Sequence, residues 1–232
     1  MTTPTRIQIK IVSPDGTSID GPSFDLPDPE VAAAEQARKE AEIRSWRQLA
    51  RTDITAATRL LVEMIRRRSP DTRKMLKALN DEGRSTAAFA TLADMKNFSG
   101  KAQKAFLSIW TECGHHIRRE VAHDVVLLDA LRRLLPAYDG PKVRLYRGEP
   151  WKDFSVQHHG ICWSSDRQAA TIYARGLNAM PGGGGVLIET IAPTDAIISQ
   201  AATTGVCGWE FEYVVDRRRL EEIHVLAKFP EV

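Results

Sequence analysis

Residues 208–215 read Gly-Trp-Glu-Phe-Glu-Tyr-Val-Val. Side chains alternate between the two faces of a strand, so Trp209, Phe211, Tyr213 and Val215 share one face and Glu210 and Glu212 the other. The first set is an apolar load suited to a core. The second sets two carboxylates side by side. Like charges that close raise each other's pKa, and such pairs suit acid/base or cation-stabilising work. A solvent-facing pair of glutamates is the simpler alternative.

The stretch sits in a strand-rich third of the chain. From Tyr138 on, β-type runs fall at 143–146, 160–164, 186–191, 196–199, 209–215 and 223–228. One helix lies among them, with Ser165 and Gln168 forming a capping box and Gly176 as its stop. Six strands with one helix do not make a Rossmann alternation. Residues 30–136 read as helices instead. Apolar stripes such as Ile54, Ala57, Leu61, Met64 and Ile65 recur at helical spacing. A break is expected at Cys113-Gly114, followed by a last helix carrying Ile117, Val121, Val125, Leu128 and Leu135. Residues 1–29 open on Arg6-Ile-Gln-Ile-Lys-Ile-Val12 and the turn Ser13-Pro-Asp-Gly16, a short hairpin or arm. The expected fold class is α+β: arm, helical module (30–136) and a strand-rich domain (137–232).

Composition agrees with a folded chain. Of 232 residues, 43% are hydrophobic and 27% charged, which excludes a disordered or fibrous protein. No apolar run approaches a membrane span, the start lacks a secretory apolar segment, and three scattered cysteines give no disulfide framework. A cytoplasmic protein is expected, with delivery into another cell left open. Residues 31–136 carry a net charge of +7, which is either a solvated helical face or a surface for an acidic partner or nucleic acid.

Two further segments bear on chemistry. In Leu145-Tyr146-Arg147-Gly148 an arginine ends a strand, able to grip a phosphate or carboxylate with its fork, and a glycine follows that lets a ligand near the backbone. In Cys162-Trp163-Ser164-Ser165-Asp166 a strand runs into the capped helix, with hydroxyls beside a helix N-terminus. Gly182–Gly185 lacks the setting of a nucleotide fingerprint and reads as a flexible loop. Cys113, His115, His116 and His123, like His158, His159 and Cys162, have poor metal spacing. No nucleophile elbow supports a Ser/His/Asp triad.

In this order, strand-Arg-Gly, strand-Ser-Ser-helix and strand-Glu-x-Glu, the last third of the chain (about 145–226) resembles the Arg/Ser/Glu class of mono-ADP-ribosyltransferases, the cholera-, C2- and C3-type toxins and their relatives. The strand Ile197-Ile198-Ser199 and the loop 200–208 before Glu-x-Glu fit the same pattern. The resemblance implies a mixed β-sandwich with NAD, as substrate, in a cleft between two small sheets. It implies that Arg147 clamps the NAD pyrophosphate and props the cleft, that Gly148 presents backbone to the nicotinamide, and that Ser164 holds the catalytic Glu212. Glu212 would stabilise the oxocarbenium-like cation, and Glu210 would receive the nucleophile, a glutamate there going with arginine acceptors. Ser165 joins the NAD contacts, and Tyr173 or Trp163 would stack on nicotinamide. The third residue of the serine motif, Asp166, departs from the family's hydroxyl. The implied activity is transfer of ADP-ribose to a macromolecule, protein arginine foremost. The alternatives are NAD glycohydrolysis and a non-catalytic interaction or nucleic-acid-binding protein. No metal is implied.

Overall fold

The computed structural model describes residues 6–25, 28–176, 183–200 and 212–231. It begins with a hairpin in which β1 (Arg6–Val12) pairs antiparallel with β2 (Ser18–Asp25). Gly16 takes a φ of 84° in the turn, a left-handed conformation free of Cβ strain only for glycine. The Asp15 carboxylate accepts from the Thr17 amide at 3.0 Å and hydroxyl at 2.6 Å. Ile9, Ile11 and Ile19 stay exposed on this ribbon.

Six helices follow. α1 (Pro29–Thr52) starts from an Asp28 cap with proline in its first turn, and buries only Trp46 and Ala50. Its first half is therefore solvated. Asp53 ends α1 and caps α2 (Ile54–Arg67), accepting from the Ala56 amide at 2.9 Å. Then come α3 (Thr72–Asp81), α4 (Ser85–Ala93), α5 (Gly100–Val121) and α6 (Asp124–Leu134). Their apolar stripes meet in one core that includes Leu61, Met75, Phe89, Phe106, Trp110 and Leu127. Burying each such side chain contributes roughly 1.5–3 kcal/mol.

The expected break at Cys113-Gly114 is present within α5: Cys113 leaves helical geometry at φ −137°, ψ 19°, and a second helical stretch runs on to Val121. Gly114 is there because Trp110 lies over it: an added Cβ would come within 2.8 Å of the indole. A further break, not expected from the sequence, comes at Ala122, at φ 51°. His123 then caps α6, its Nδ1 accepting from the Val126 amide at 3.3 Å. Ile117 and Val121 therefore belong to α5, and Val125 is exposed.

All six expected strands are present: β3 (Val143–Pro150), β4 (Cys162–Ser164), β5 (Gly185–Ala192), β6 (Ile197–Gln200), β7 (Glu212–Val215) and β8 (His224–Phe229). Trp209, Glu210 and Phe211 lie outside the described residues. A short α7 (Trp151–Ser155), not expected from the sequence, follows β3, and α8 (Arg167–Arg175) follows β4. The fold is α+β. Apart from the β1–β2 hairpin, the described strands make one antiparallel sheet in the order β6-β7-β4-β3-β5-β8. The join is narrow: β3 and β5 share eight register pairs, whereas β3 and β4 share one, Tyr146 with Ser164.

One face of the sheet holds a core of Leu145, Trp163, Val186, Ile188, Tyr213 and Val215. Part of the other face is covered by α8, with Ala170 and Ala174 against Leu187. Ile161, Ile198 and Val214 instead join the core of the helices. The hydrophobic interior thus crosses the boundary expected between residues 136 and 137. Among the described residues no helix is long and apolar enough to cross a membrane.

Candidate active site

Strand register decides which of the candidate residues meet. Tyr146 on β3 stands opposite Ser164 on β4, and Ser164 stands opposite Glu212 on β7. One row of residues thus crosses three neighbouring strands, with Ser164 in the middle. Glu210, the expected acceptor-side carboxylate, lies outside the described residues.

Ser164 is half-buried, and its Oγ accepts from the Asp166 amide at 3.0 Å. That turn lifts the chain off the sheet, and Asp166 caps α8 by accepting from the Gln168 amide at 2.7 Å. The helix therefore starts one residue later than the expected Ser165 box. Asp166, which departs from the serine motif, is there because aspartate is a stronger cap than most residues. Ser165 is half-buried between the two.

Gly148 does not expose backbone to a ligand. A Cβ on it would overlap the Ala170 carbonyl oxygen and the Ala174 amide, so the missing side chain lets α8 lie directly on β3. Gly184 and Gly185 serve the same close packing, against Phe229 and Ala174, which corrects the flexible-loop expectation for those two residues. Tyr173 sits on α8 and is exposed. Trp163 is a core residue, buried with its indole N–H donating to the Gly160 carbonyl at 3.0 Å.

Arg147 leaves β3 on the face of Leu145 and Glu149, opposite that of Tyr146, so it is not in the Ser164 row. Its Nε donates to Glu149 Oε2 at 3.0 Å, and its Nη1 donates to the Cys162 carbonyl. The guanidinium thereby spans the narrow seam between β3 and β4. Glu149 is 1% exposed. Its other oxygen pairs with His159 Nδ1 at 2.7 Å, and Oε2 also accepts from the Gly160 amide at 3.2 Å. Burial pushes this carboxyl's pKa up, but the His159 hydrogen bond, the Arg147 charge and the Gly160 amide outweigh it, so it stays ionised below the usual glutamate range. The sequence passes over Glu149 and offers His159 only as a metal-ligand candidate. The available signal was the Arg147-x-Glu149 spacing, which puts opposite charges on one face of a strand.

A second charged layer joins the sheet to α5 and α6. Asp124 pairs with Arg118 at 2.7 Å and Arg217 at 3.0 Å, and both arginines also donate to the His159 carbonyl. Fully buried Asp216 accepts from Arg132 at 3.0 Å and from Arg218 at 2.8 Å. Burial would raise its pKa, but the two guanidinium groups bring it down to about 2. No group of three or more metal-ligating side chains comes together among the described residues. In comparisons with known proteins, the chain matches no family model, no curated protein and no solved structure.

Proposed function

We propose that the chain is a mono-ADP-ribosyltransferase that moves ADP-ribose from NAD to a macromolecular acceptor, protein arginine foremost, with release of nicotinamide. The observation that carries this reading is the register of Ser164 on β4 opposite Glu212 on β7; Arg147 lies on the adjacent β3 and leaves it on the other face of the sheet. Directly opposed residues of an antiparallel pair are close enough to interact, as a serine that holds a catalytic glutamate must be. Glu212 then stabilises the cation left when nicotinamide departs, and Glu210 docks the acceptor guanidinium. Two three-strand halves joined at one residue pair are also in keeping with the two-sheet ADP-ribosyltransferase architecture. Gly148 has no ligand role in this reading, and Tyr173 on α8 is the aromatic assigned to nicotinamide.

The test is free nicotinamide released from NAD by the purified chain, with and without a cell lysate as acceptor source, beside Glu212→Gln. Release that the variant loses supports the reading. No release, together with no NAD binding, overturns it in favour of a non-catalytic interaction protein.

A further inference from the structure

The Arg147 guanidinium is held on three sides. Glu149 takes Nε, the Cys162 carbonyl takes Nη1, and Gly160 lies against the guanidinium, where an added Cβ would overlap Nη2, Cζ and Nε. Glu149 is itself fixed by His159 and the Gly160 amide. Arg147 nevertheless keeps 21% of its side chain exposed, against 1% for Glu149 and 12% for His159. Among the described residues no hydrogen bond engages Nη2. A guanidinium with one open edge and the rest clamped is preorganised for an oxyanion, because little side-chain freedom is left to lose on binding.

We infer that Glu149 is a positioning residue which, with His159 and Gly160, fixes Arg147 so that its Nη2 edge meets a phosphate-class anion. The identity of that anion as the NAD pyrophosphate rests on the function proposed above. Glu149 acts through Arg147 and does not itself touch the ligand.

The experiment is calorimetric binding of inorganic pyrophosphate to the full chain and to Arg147→Lys, Glu149→Gln and the double variant. Each single variant is expected to weaken binding about tenfold, through loss of the fork or of its preorganisation. The double variant is expected to bind no more weakly than Arg147→Lys alone, since residues that act as a unit are not additive. A carboxylate acting only through its charge gives the opposite sign, because its removal tightens anion binding. Unchanged or tighter binding in Glu149→Gln, additive losses, or no pyrophosphate binding by the unaltered chain each overturns the inference. Where Glu149→Gln does not fold, His159→Phe removes only the donor to Oε1. It is expected to weaken binding severalfold, and unchanged binding overturns the inference. Glu149-dependent pyrophosphate binding without nicotinamide release overturns the transferase reading and leaves this one standing. Release with an unchanged KM for NAD in Glu149→Gln does the reverse.

Discussion

Arg132 of α6 donates to Asp216, a carboxylate with no exposed surface, just beyond the end of β7. Asp216 also binds Arg218, which reaches Asp129 on α6 at 2.7 Å. Removing one member of a buried ion pair leaves an uncompensated charge and costs about 3–5 kcal/mol. Asp216→Asn is therefore expected to lower unfolding stability by about 3 kcal/mol, read as a drop in the urea midpoint at pH 7. A midpoint within error of the unaltered chain would refute the claim that this pair ties the layers together.

Acid sensitivity follows from the same carboxylate. Its folded pKa of about 2 lies below the ordinary 3.8, so the stability it contributes is fully present above pH 4 and is lost as pH falls towards 2. Asp124 and Glu149 are shifted in the same direction, burial being outweighed by Arg118 in one case and by His159 and Arg147 in the other. The melting temperature should fall steeply below about pH 4, with a loss of order 2 kcal/mol from Asp216 alone. A shallower acid limb in Asp216→Asn is the expected signature, and an identical limb would count against it.

Gly148 distinguishes close packing from ligand access. Gly148→Ala would drive a methyl into the α8 backbone at Ala170 and Ala174, and overpacking of this kind costs about 1–3 kcal/mol. Thermal unfolding should show that loss without any ligand present. A variant as stable as the parent but weaker for NAD would restore the ligand-facing role.

Ser164→Ala removes the hydroxyl that accepts from the Asp166 amide and stands opposite Glu212. Loss of one such hydrogen bond changes stability by roughly 1 kcal/mol. On the transferase reading nicotinamide release drops much further, on the order of a hundredfold, because small misplacements of a catalytic group are that costly. Stability and turnover measured on the same sample separate the two effects.

Residues 137–232 expressed alone should not fold. Ile161, Ile198 and Val214 would lose the helical core they pack into, and Asp216 would lose Arg132. Dispersed amide spectra from that fragment would contradict this, and a return of structure on adding residues 28–136 would support it.

The strands could be read from the sequence because each is a short apolar run bounded by turn residues, but not the register, which sets Ser164 opposite Glu212 and turns Arg147 to the other face of the sheet. The helix breaks were harder. Ala122 takes a left-handed φ and His123 serves as a cap, and neither residue type signals a helix end. Cys113-Gly114 was legible as a break, and its glycine also makes room for Trp110. Gly148 is less legible, because sequence shows that a backbone is bare but not what approaches it. Glu149 was missed because a glutamate two residues from an arginine reads as a surface pair, and its burial depends on a loop ten residues downstream that closes over it.

The single register pair between β3 and β4 also has a mechanical meaning. A long ladder resists sliding through many parallel hydrogen bonds, but here only one residue pair bridges the middle of the sheet. Stiffness along that line must come from side chains and from α8 laid across it. One substitution in the Arg147 and Glu149 brace can thus loosen the two halves against each other while every ladder within them stays intact. Amide exchange would register this as faster opening at Tyr146 and Ser164, with β5 and β8 still protected.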